Sequence, residues 1–183
     1  MNVKKTNVNS SKYLIAYFSR TGNNYVSGNI VNLPVGNTEV VAKMIQEMTQ
    51  GDLFHIEAVN AYPEDYLETT EVAKQELRTN ARPKLISHLE NMASYNVIFL
   101  GHPIWWGTMP MPVFTFLEDY DFSGKTIASF CTHEGSGLGR SVSDIRKMCP
   151  KSTVLEGLAI HGGSVNHAKD TVADWLGELG LKK

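Results

Sequence analysis

Hydroxyl-bearing residues and a glycine follow an apolar stretch near the start of the 183-residue chain, in the order Ser19-Arg20-Thr21-Gly22-Asn23. The backbone N–H groups of such a loop can converge on an anion, and the N-terminus of a following helix adds positive potential. The helix is expected only at Asn37-Thr38, because residues 24–36 intervene. A plain strand-to-helix turn in which Thr38 caps the helix explains this loop equally well.

Two adjacent tryptophans lie in a second loop, Pro103-Ile104-Trp105-Trp106-Gly107. Both cannot point into one core, so at least one is expected to present a flat face suited to stacking on a conjugated ring. The prolines in and after this loop stiffen it, so a planar slot could be preformed. The alternative is that both tryptophans cover the edge of a sheet, which explains an isolated pair equally well.

Glycine and polar residues follow a third apolar stretch, in the order Thr132-His133-Glu134-Gly135-Ser136-Gly137. Each of the three loops is a weak indication of a site when it is taken alone. Their combination is far more specific, because the strands that precede them can bring all three loops to one edge of a sheet.

Hydrophobic patterning predicts the elements that position these loops. Apolar runs predict buried strands at residues 13–18, 97–100, 126–131 and 154–160, and an alternating run predicts an edge strand at 53–59. Helical periodicity predicts helices at residues 38–50, 64–78, 111–120, 138–148 and 165–179. The predicted fold class is therefore α/β, a three-layer α/β/α sandwich with a five-stranded parallel sheet of order 2-1-3-4-5. Ligands of such folds bind beyond the carboxyl ends of the strands, where the three loops lie.

Composition narrows the class of protein. The net charge is only −2, from 17 basic and 19 acidic residues, so nothing suggests nucleic-acid binding. No stretch approaches the roughly 20 apolar residues of a membrane span. Cys131 and Cys149 form no CxxC pair and the histidines show no metal-ligand spacing, so we expect a cytoplasmic protein without a metal site. Residues 1–11 are predicted to be a flexible tail and residues 12–183 a single domain.

The three motifs resemble those of the flavodoxin-like FMN-binding proteins, particularly their bacterial short-chain branch. The resemblance covers residues 12–179 and implies a flavodoxin fold with one non-covalently bound FMN. It implies that the phosphate is bound by Ser19, Arg20, Thr21, Gly22, Asn23 and Thr38. It also implies one wall of the flavin site at Pro103, Ile104, Trp105, Trp106 and Gly107, with either tryptophan stacking. The other wall would use backbone groups of Thr132, His133, Glu134, Gly135, Ser136 and Gly137.

The insertion at residues 24–36 is a departure from this family pattern. Similar proteins often run Ser-x-Thr-Gly-Asn-Thr without a break, so the last two roles fall here to Asn23, to Asn37-Thr38, or to both. Apolar pairs flank Ser27-Gly28-Asn29, which predicts a small hairpin. We expect this hairpin to fold over the flavin as a partial lid.

Two functions follow from the resemblance, and the sequence leaves the choice between them open. The first is a flavodoxin that carries electrons between redox partner proteins. The alternative is an oxidoreductase that takes hydride from NAD(P)H and reduces a quinone or nitro compound. The absence of a GxGxxG loop favours the carrier, and the weak net charge favours the enzyme. We expect a monomer or weak homodimer. A third interpretation, an FMN-binding domain that serves as a sensor or scaffold, ranks last.

Overall fold

The computed structural model describes residues 12–182. The tail predicted for residues 1–11 lies outside this range. In chain order, the strands and helices of the described residues are β1 (Tyr13–Tyr17), β2 (Gly22–Val26), β3 (Asn29–Leu33), α1 (Asn37–Thr49), β4 (Asp52–His55), α2 (Tyr66–Arg78), β5 (Val97–Pro103), α3 (Met111–Asp119), β6 (Thr126–His133), α4 (Ser141–Met148), β7 (Thr153–Val154), β8 (Leu158–His161) and α5 (Lys169–Glu178).

One parallel sheet forms the centre of the fold. Its order is β4-β1-β5-β6, and both β7 and β8 pair with β6 on the far side. This arrangement confirms the predicted order 2-1-3-4-5, with β4 at one edge. Every residue of β1 is buried, as expected for a strand covered on both faces.

The fifth strand differs from the prediction of one continuous strand at residues 154–160. It is divided into β7, which pairs with the start of β6, and β8, which pairs with its end. Between them, the carbonyl of Glu156 accepts a hydrogen bond from the Trp175 indole N–H at 3.1 Å instead of a ladder partner. Hydrophobicity alone does not reveal this side-chain bond from another element.

Helices cover both faces of the sheet and complete the three layers. Helices α1 and α5 bury one core around Ile45, Phe99 and Trp175. Helices α3 and α4 bury the other around Phe116 and Ile145, and α2 lies beside α3. Three helices begin later than predicted: α2 starts at Tyr66 rather than 64, α4 at Ser141 rather than 138, and α5 at Lys169 rather than 165. A 3₁₀ segment, Gly162–His167, precedes α5.

The insertion forms the hairpin that the sequence predicts. Strands β2 and β3 pair antiparallel around the two-residue turn Ser27-Gly28. Both turn residues have positive φ, 49° and 88°, which is typical of the turn that joins twisted antiparallel strands. The hairpin pairs with no strand of the main sheet among the described residues.

Candidate functional site

A cavity of about 360 Å³ opens at the carboxyl edge of β1, β5 and β6. Residues from all three predicted loops and from the start of α1 line it: Ser19, Arg20, Asn37, Thr38, Pro103, Ile104, Trp105, Trp106, Thr132, His133 and Glu134. The remaining predicted residues lie outside the lining: Thr21, Gly22, Asn23, Gly107, Gly135, Ser136 and Gly137. The structure therefore brings the three loops together, and the binding roles of individual residues stay predictions.

The first loop and α1 form one end of the cavity by packing directly on each other. The helix is capped by Gly36, so the alternative that Thr38 is the N-cap is wrong. Ser19 Oγ accepts a hydrogen bond from the Glu39 N–H at 3.1 Å and so satisfies one first-turn donor from another loop. A Cβ at Gly36 would overlap Ser19 Oγ and lie 2.7 Å from the Arg20 carbonyl oxygen. Only glycine permits this close approach.

The helix start gives this end of the cavity its electrostatic character. Asn37 and Thr38 are the first two residues of the 13-residue α1, and the N–H groups of a helix's first turn lack intrahelical acceptors. Thr38 is almost fully buried, and its Oγ1 lies 2.8 Å from Thr132 Oγ1, a contact that joins the start of α1 to the third loop. Such an end favours an anionic group, as a phosphate would require.

The Arg20 side chain holds the loop as well as lining the cavity. Its guanidinium donates to the carbonyl oxygens of Pro63 at 2.6 Å and Glu64 at 2.7 Å, and also to that of Asn23. The charge therefore sits beside the cavity while most of its donors bind backbone. This arrangement makes Arg20 an electrostatic contributor that is already fixed in place.

The tryptophan loop turns sharply, and this separates the two indoles. Trp105 and Thr108 exchange backbone hydrogen bonds of 2.8 and 3.3 Å, and Trp106 and Gly107 between them have φ of 52° and 84°. Trp105 packs edge-on against Phe18 and Tyr62, with ring centroids 5.2 and 5.0 Å away. This is the inner of the two positions, and it belongs partly to the core.

Trp106 is the exposed member of the pair, with 47% of its surface accessible. Its indole N–H donates to the Thr70 carbonyl at 2.9 Å, and Lys74 Nζ lies 5.2 Å from the ring centroid. Both tryptophans line the cavity, so the structure permits either to contact a planar ligand. Trp106 is therefore the indole that lies at the surface, and stacking of either indole on a ligand stays a prediction.

The third loop uses its backbone donors internally. His133 Nδ1 accepts hydrogen bonds from the N–H groups of Gly135 at 2.9 Å and Gly137 at 3.2 Å. Burial lowers the pKa of His133 and the nearby His161 lowers it further, while Glu134 opposes both effects. Both hydrogen bonds require Nδ1 to be unprotonated, and a lowered pKa favours that form. The predicted contact of Gly135 and Gly137 N–H groups with a ligand requires a change in this loop.

Glu134 connects the third loop to the hairpin through one carboxylate oxygen, while the other packs against Gly162. Its Oε2 accepts the Ser27 N–H at 2.8 Å and lies 3.5 Å from His161 Nε2. Its Oε1 is buried with no hydrogen-bond partner among the described residues. A buried carboxylate oxygen without a donor is costly, so this atom suits a ligand that brings a hydroxyl or N–H group.

Seven further residues line the cavity that the sequence analysis did not select: Asn24, Tyr25, Tyr66, Thr69, Thr70, Ala73 and Gly162. Most belong to the hairpin and to α2. The many charged residues of α2 predict a solvent-exposed helix rather than the wall of a site. The available signal was the i, i+4 spacing of the small residues Thr69 and Ala73, the two buried positions of α2. Tyr25 and Tyr66 stack with centroids 5.9 Å apart and planes at 26°.

Neither a metal-binding cluster nor a membrane-spanning helix is found in the part of the chain that the structure describes. Residues 12–182 contain no group of three or more His, Cys, Asp and Glu side chains arranged to hold a metal ion. Over the same range, no helix has both the length and the apolar character needed to span a membrane.

Comparisons with known proteins agree with this fold. A family model described as "Flavodoxin" matches residues 12–179. A candidate flavoprotein from Bacteroides eggerthii DSM 20697 is 29% identical, with a TM-score of 0.77 over 94% of this chain and 100% of that one. Another from Bacteroides uniformis ATCC 8492 is 27% identical, with a TM-score of 0.69 over 91% and 98%.

A third solved structure shares the fold at lower identity. It is the flavoprotein from Lactobacillus acidophilus NCFM in complex with FMN, which is 22% identical, with a TM-score of 0.61 over 90% of this chain and 99% of that one. A search of curated proteins found no match.

Proposed function

This chain belongs to the flavodoxin family, and we propose that it binds one FMN in the cavity and uses it to carry electrons between redox partners. The observation that carries the proposal is the meeting of three loops and the N-terminus of α1 around one cavity of about 360 Å³. That volume lies within the usual range of small-molecule sites, about 300–1,000 Å³. The Lactobacillus acidophilus flavoprotein, which shares this fold, was solved in complex with FMN.

The phosphate of FMN fits the end of the cavity formed by the first loop and α1. Ser19 keeps its hydroxyl proton available because its Oγ acts as acceptor for the Glu39 N–H. Asn37 and Thr38 supply backbone N–H groups at the helix start, and Arg20 supplies a nearby positive charge. A dianionic group is favoured at this end even though the protein as a whole is slightly acidic.

The rest of the cofactor fits the other side chains of the cavity. Trp105, Trp106 and Ile104 offer apolar surface for the ring system. Glu134 Oε1, buried without a partner among the described residues, suits a hydroxyl of the ribityl chain. When bound, FMN supplies the redox chemistry, while the protein contributes binding, orientation and electrostatics.

The electrostatics of the cavity support a second candidate, an FMN-dependent NAD(P)H oxidoreductase that reduces a quinone or nitro compound. Arg20 and Glu134 are the only charged side chains among the described residues that line the cavity. Carriers that dock by charge usually present a strong single sign around the cofactor, which steers their partners. In the carrier proposal the partners are redox proteins, and in this alternative they are NAD(P)H and a small oxidant. We propose a cytoplasmic monomer or weak homodimer in either case.

An anaerobic assay of the FMN-loaded protein separates the two candidates. NADPH and, separately, NADH are mixed with the protein, and flavin absorbance is followed before and after a quinone is added. The carrier proposal expects negligible reduction by either nucleotide and rapid reduction by a reduced protein partner or by light. Multiple turnovers of quinone at the expense of NAD(P)H would contradict it and support the enzyme. Free FMN at the same concentration is the control.

A further inference from the structure

The tip of the hairpin β2–β3 contacts the third loop and the 3₁₀ segment that follows β8. The Ser27 N–H donates to Glu134 Oε2 at 2.8 Å, and a Cβ on Gly163 would overlap Ser27 Oγ. Glu134 Oε2 also lies 3.5 Å from His161 Nε2. Strand β2 therefore runs from the first loop to the 3₁₀ segment after β8 and does not project freely into solvent.

The base and the middle of β2 are anchored as well. The Asn24 side-chain amide donates to the carbonyls of Arg20 at 3.0 Å and Gly22 at 3.1 Å. The Tyr25 ring stacks on Tyr66 of α2, and both Asn24 and Tyr25 line the cavity. The contacts of Asn24 and Tyr25, together with the Ser27 hydrogen bond at the turn, thus hold this strand against the cavity.

The start of α1 lies between the base and the tip of this strand. At the base, Gly36 packs on Ser19 and Arg20. Near the tip, a Cβ on Gly162 would lie 2.9 Å from Asn37 Nδ2, and the adjacent Gly163 touches Ser27. The residues that we assign to the phosphate are therefore enclosed on the side where the hairpin passes.

We propose that the hairpin β2–β3 is a clamp that closes the phosphate end of the site, selects a flavin mononucleotide over a flavin dinucleotide, and limits cofactor release. This inference rests on the proposed binding of FMN. A dinucleotide continues from the first phosphate into a second phosphate and an adenosine, and these must leave the cavity where β2 lies. Release of the mononucleotide requires the tip contacts to open first.

A shortened hairpin tests selection. Asn24 pairs directly with Val31, so residues 25–30 can be replaced by Asn-Gly, which forms a tight two-residue turn between paired positions. This variant removes the Tyr25 stack and the Ser27 contact and keeps the base. We expect FMN release to accelerate at least about tenfold and FAD binding to become measurable by fluorescence quenching. Glu71→Ala, at an exposed position of α2, serves as the control.

A reversible tether tests release without relying on the folding of a shortened chain. The Cβ of Ser27 lies 3.7 Å from the position of a Cβ on Gly163, which is the separation that a disulfide needs. Cys131 and Cys149 do not compete, because both are buried and burial raises the pKa of their thiols to about 12 and 11. The variant Ser27→Cys with Gly163→Cys should release FMN at least about tenfold more slowly when oxidised than after reduction with dithiothreitol.

The outcomes separate the two proposals. If the wild-type protein binds no FMN, both are wrong. If it binds FMN but the tethered variant releases FMN equally fast in its oxidised and reduced forms, with the disulfide confirmed by mass, the clamp is wrong and FMN binding stands. A folded short-hairpin variant that still rejects FAD and keeps the wild-type release rate would also overturn the clamp. In that case the hairpin would play no part in cofactor binding.

Discussion

Replacing Gly36 by alanine should weaken the binding of FMN while leaving that of riboflavin almost unchanged. Gly36 has φ −65° and ψ 149°, a conformation that alanine adopts without strain. The effect is therefore steric. The added methyl would overlap Ser19 Oγ and approach the Arg20 carbonyl oxygen and nitrogen to 2.7 and 2.9 Å. The first loop and the start of α1 must then move apart.

The magnitude follows from the two consequences of that displacement. Overpacking of this kind costs roughly 1–3 kcal/mol of folding free energy. Alanine also restricts the unfolded chain more than glycine does, which stabilises the folded state by about 0.4–1 kcal/mol and offsets part of that cost. If one hydrogen bond to the charged phosphate is lost, the free energy of FMN binding weakens by about 1.5–3 kcal/mol, so the affinity falls roughly 10- to 150-fold. Riboflavin has no phosphate and should lose less than about threefold.

The assay is a titration of each flavin with apoprotein, followed by fluorescence, beside urea unfolding of the apoprotein. Gly177→Ala is the matched control, since a Cβ at Gly177 in α5 meets no atom within 4 Å. It should gain up to about 1 kcal/mol of stability and bind FMN as the wild type does. Equal losses of FMN and riboflavin affinity in Gly36→Ala would refute the assignment of the phosphate to this end of the cavity.

Two further perturbations follow from the structure. Trp106→Ala should lower FMN affinity by up to about tenfold with little effect on stability. Trp105→Ala removes the ring that packs against Phe18 and Tyr62, and should cost about 2–4 kcal/mol of stability. Urea unfolding and FMN titration of both variants check this prediction, and equal stabilities would contradict it. Burial lowers the pKa of His102 from 6.5 to about 4, so the unfolded chain binds a proton that the folded chain does not, and stability should fall by about 3 kcal/mol between pH 6.5 and 4. Urea unfolding at pH 7 and 4.5 should show a smaller loss for His102→Gln than for the wild type, and identical losses would contradict the account.

The layered fold could be predicted because its buried strands have a clear hydrophobic pattern. Residues 13–18 and 97–100 are nearly continuous apolar runs, and only a parallel sheet covered on both faces explains several such runs between helices. The hairpin could be predicted because Ser27-Gly28 sits between two apolar pairs. The break in the fifth strand could not, because the hydrogen bond found there, from the Trp175 indole of α5 to the Glu156 carbonyl, joins residues far apart in the sequence.

The cavity was predicted less completely than the fold. Its three loops follow strands, and the topology of parallel sheets places such loops at one edge. The wall formed by α2 was missed because Thr69 and Ala73 are buried only once α2 packs beside β2 and α3. The internal use of the Gly135 and Gly137 N–H groups depends on the rotamer of His133, which sequence does not specify.

The most direct test of the central claim is a fluorescence titration of FMN with the apoprotein at neutral pH. Our account predicts that FMN fluorescence is quenched to saturation at one FMN per chain, with a Kd of about 1 μM or lower, which corresponds to a binding free energy near −8 kcal/mol. Riboflavin should bind more weakly, because it lacks the phosphate that the start of α1 receives. No quenching with protein at about 100 μM would contradict the claim that this cavity holds FMN.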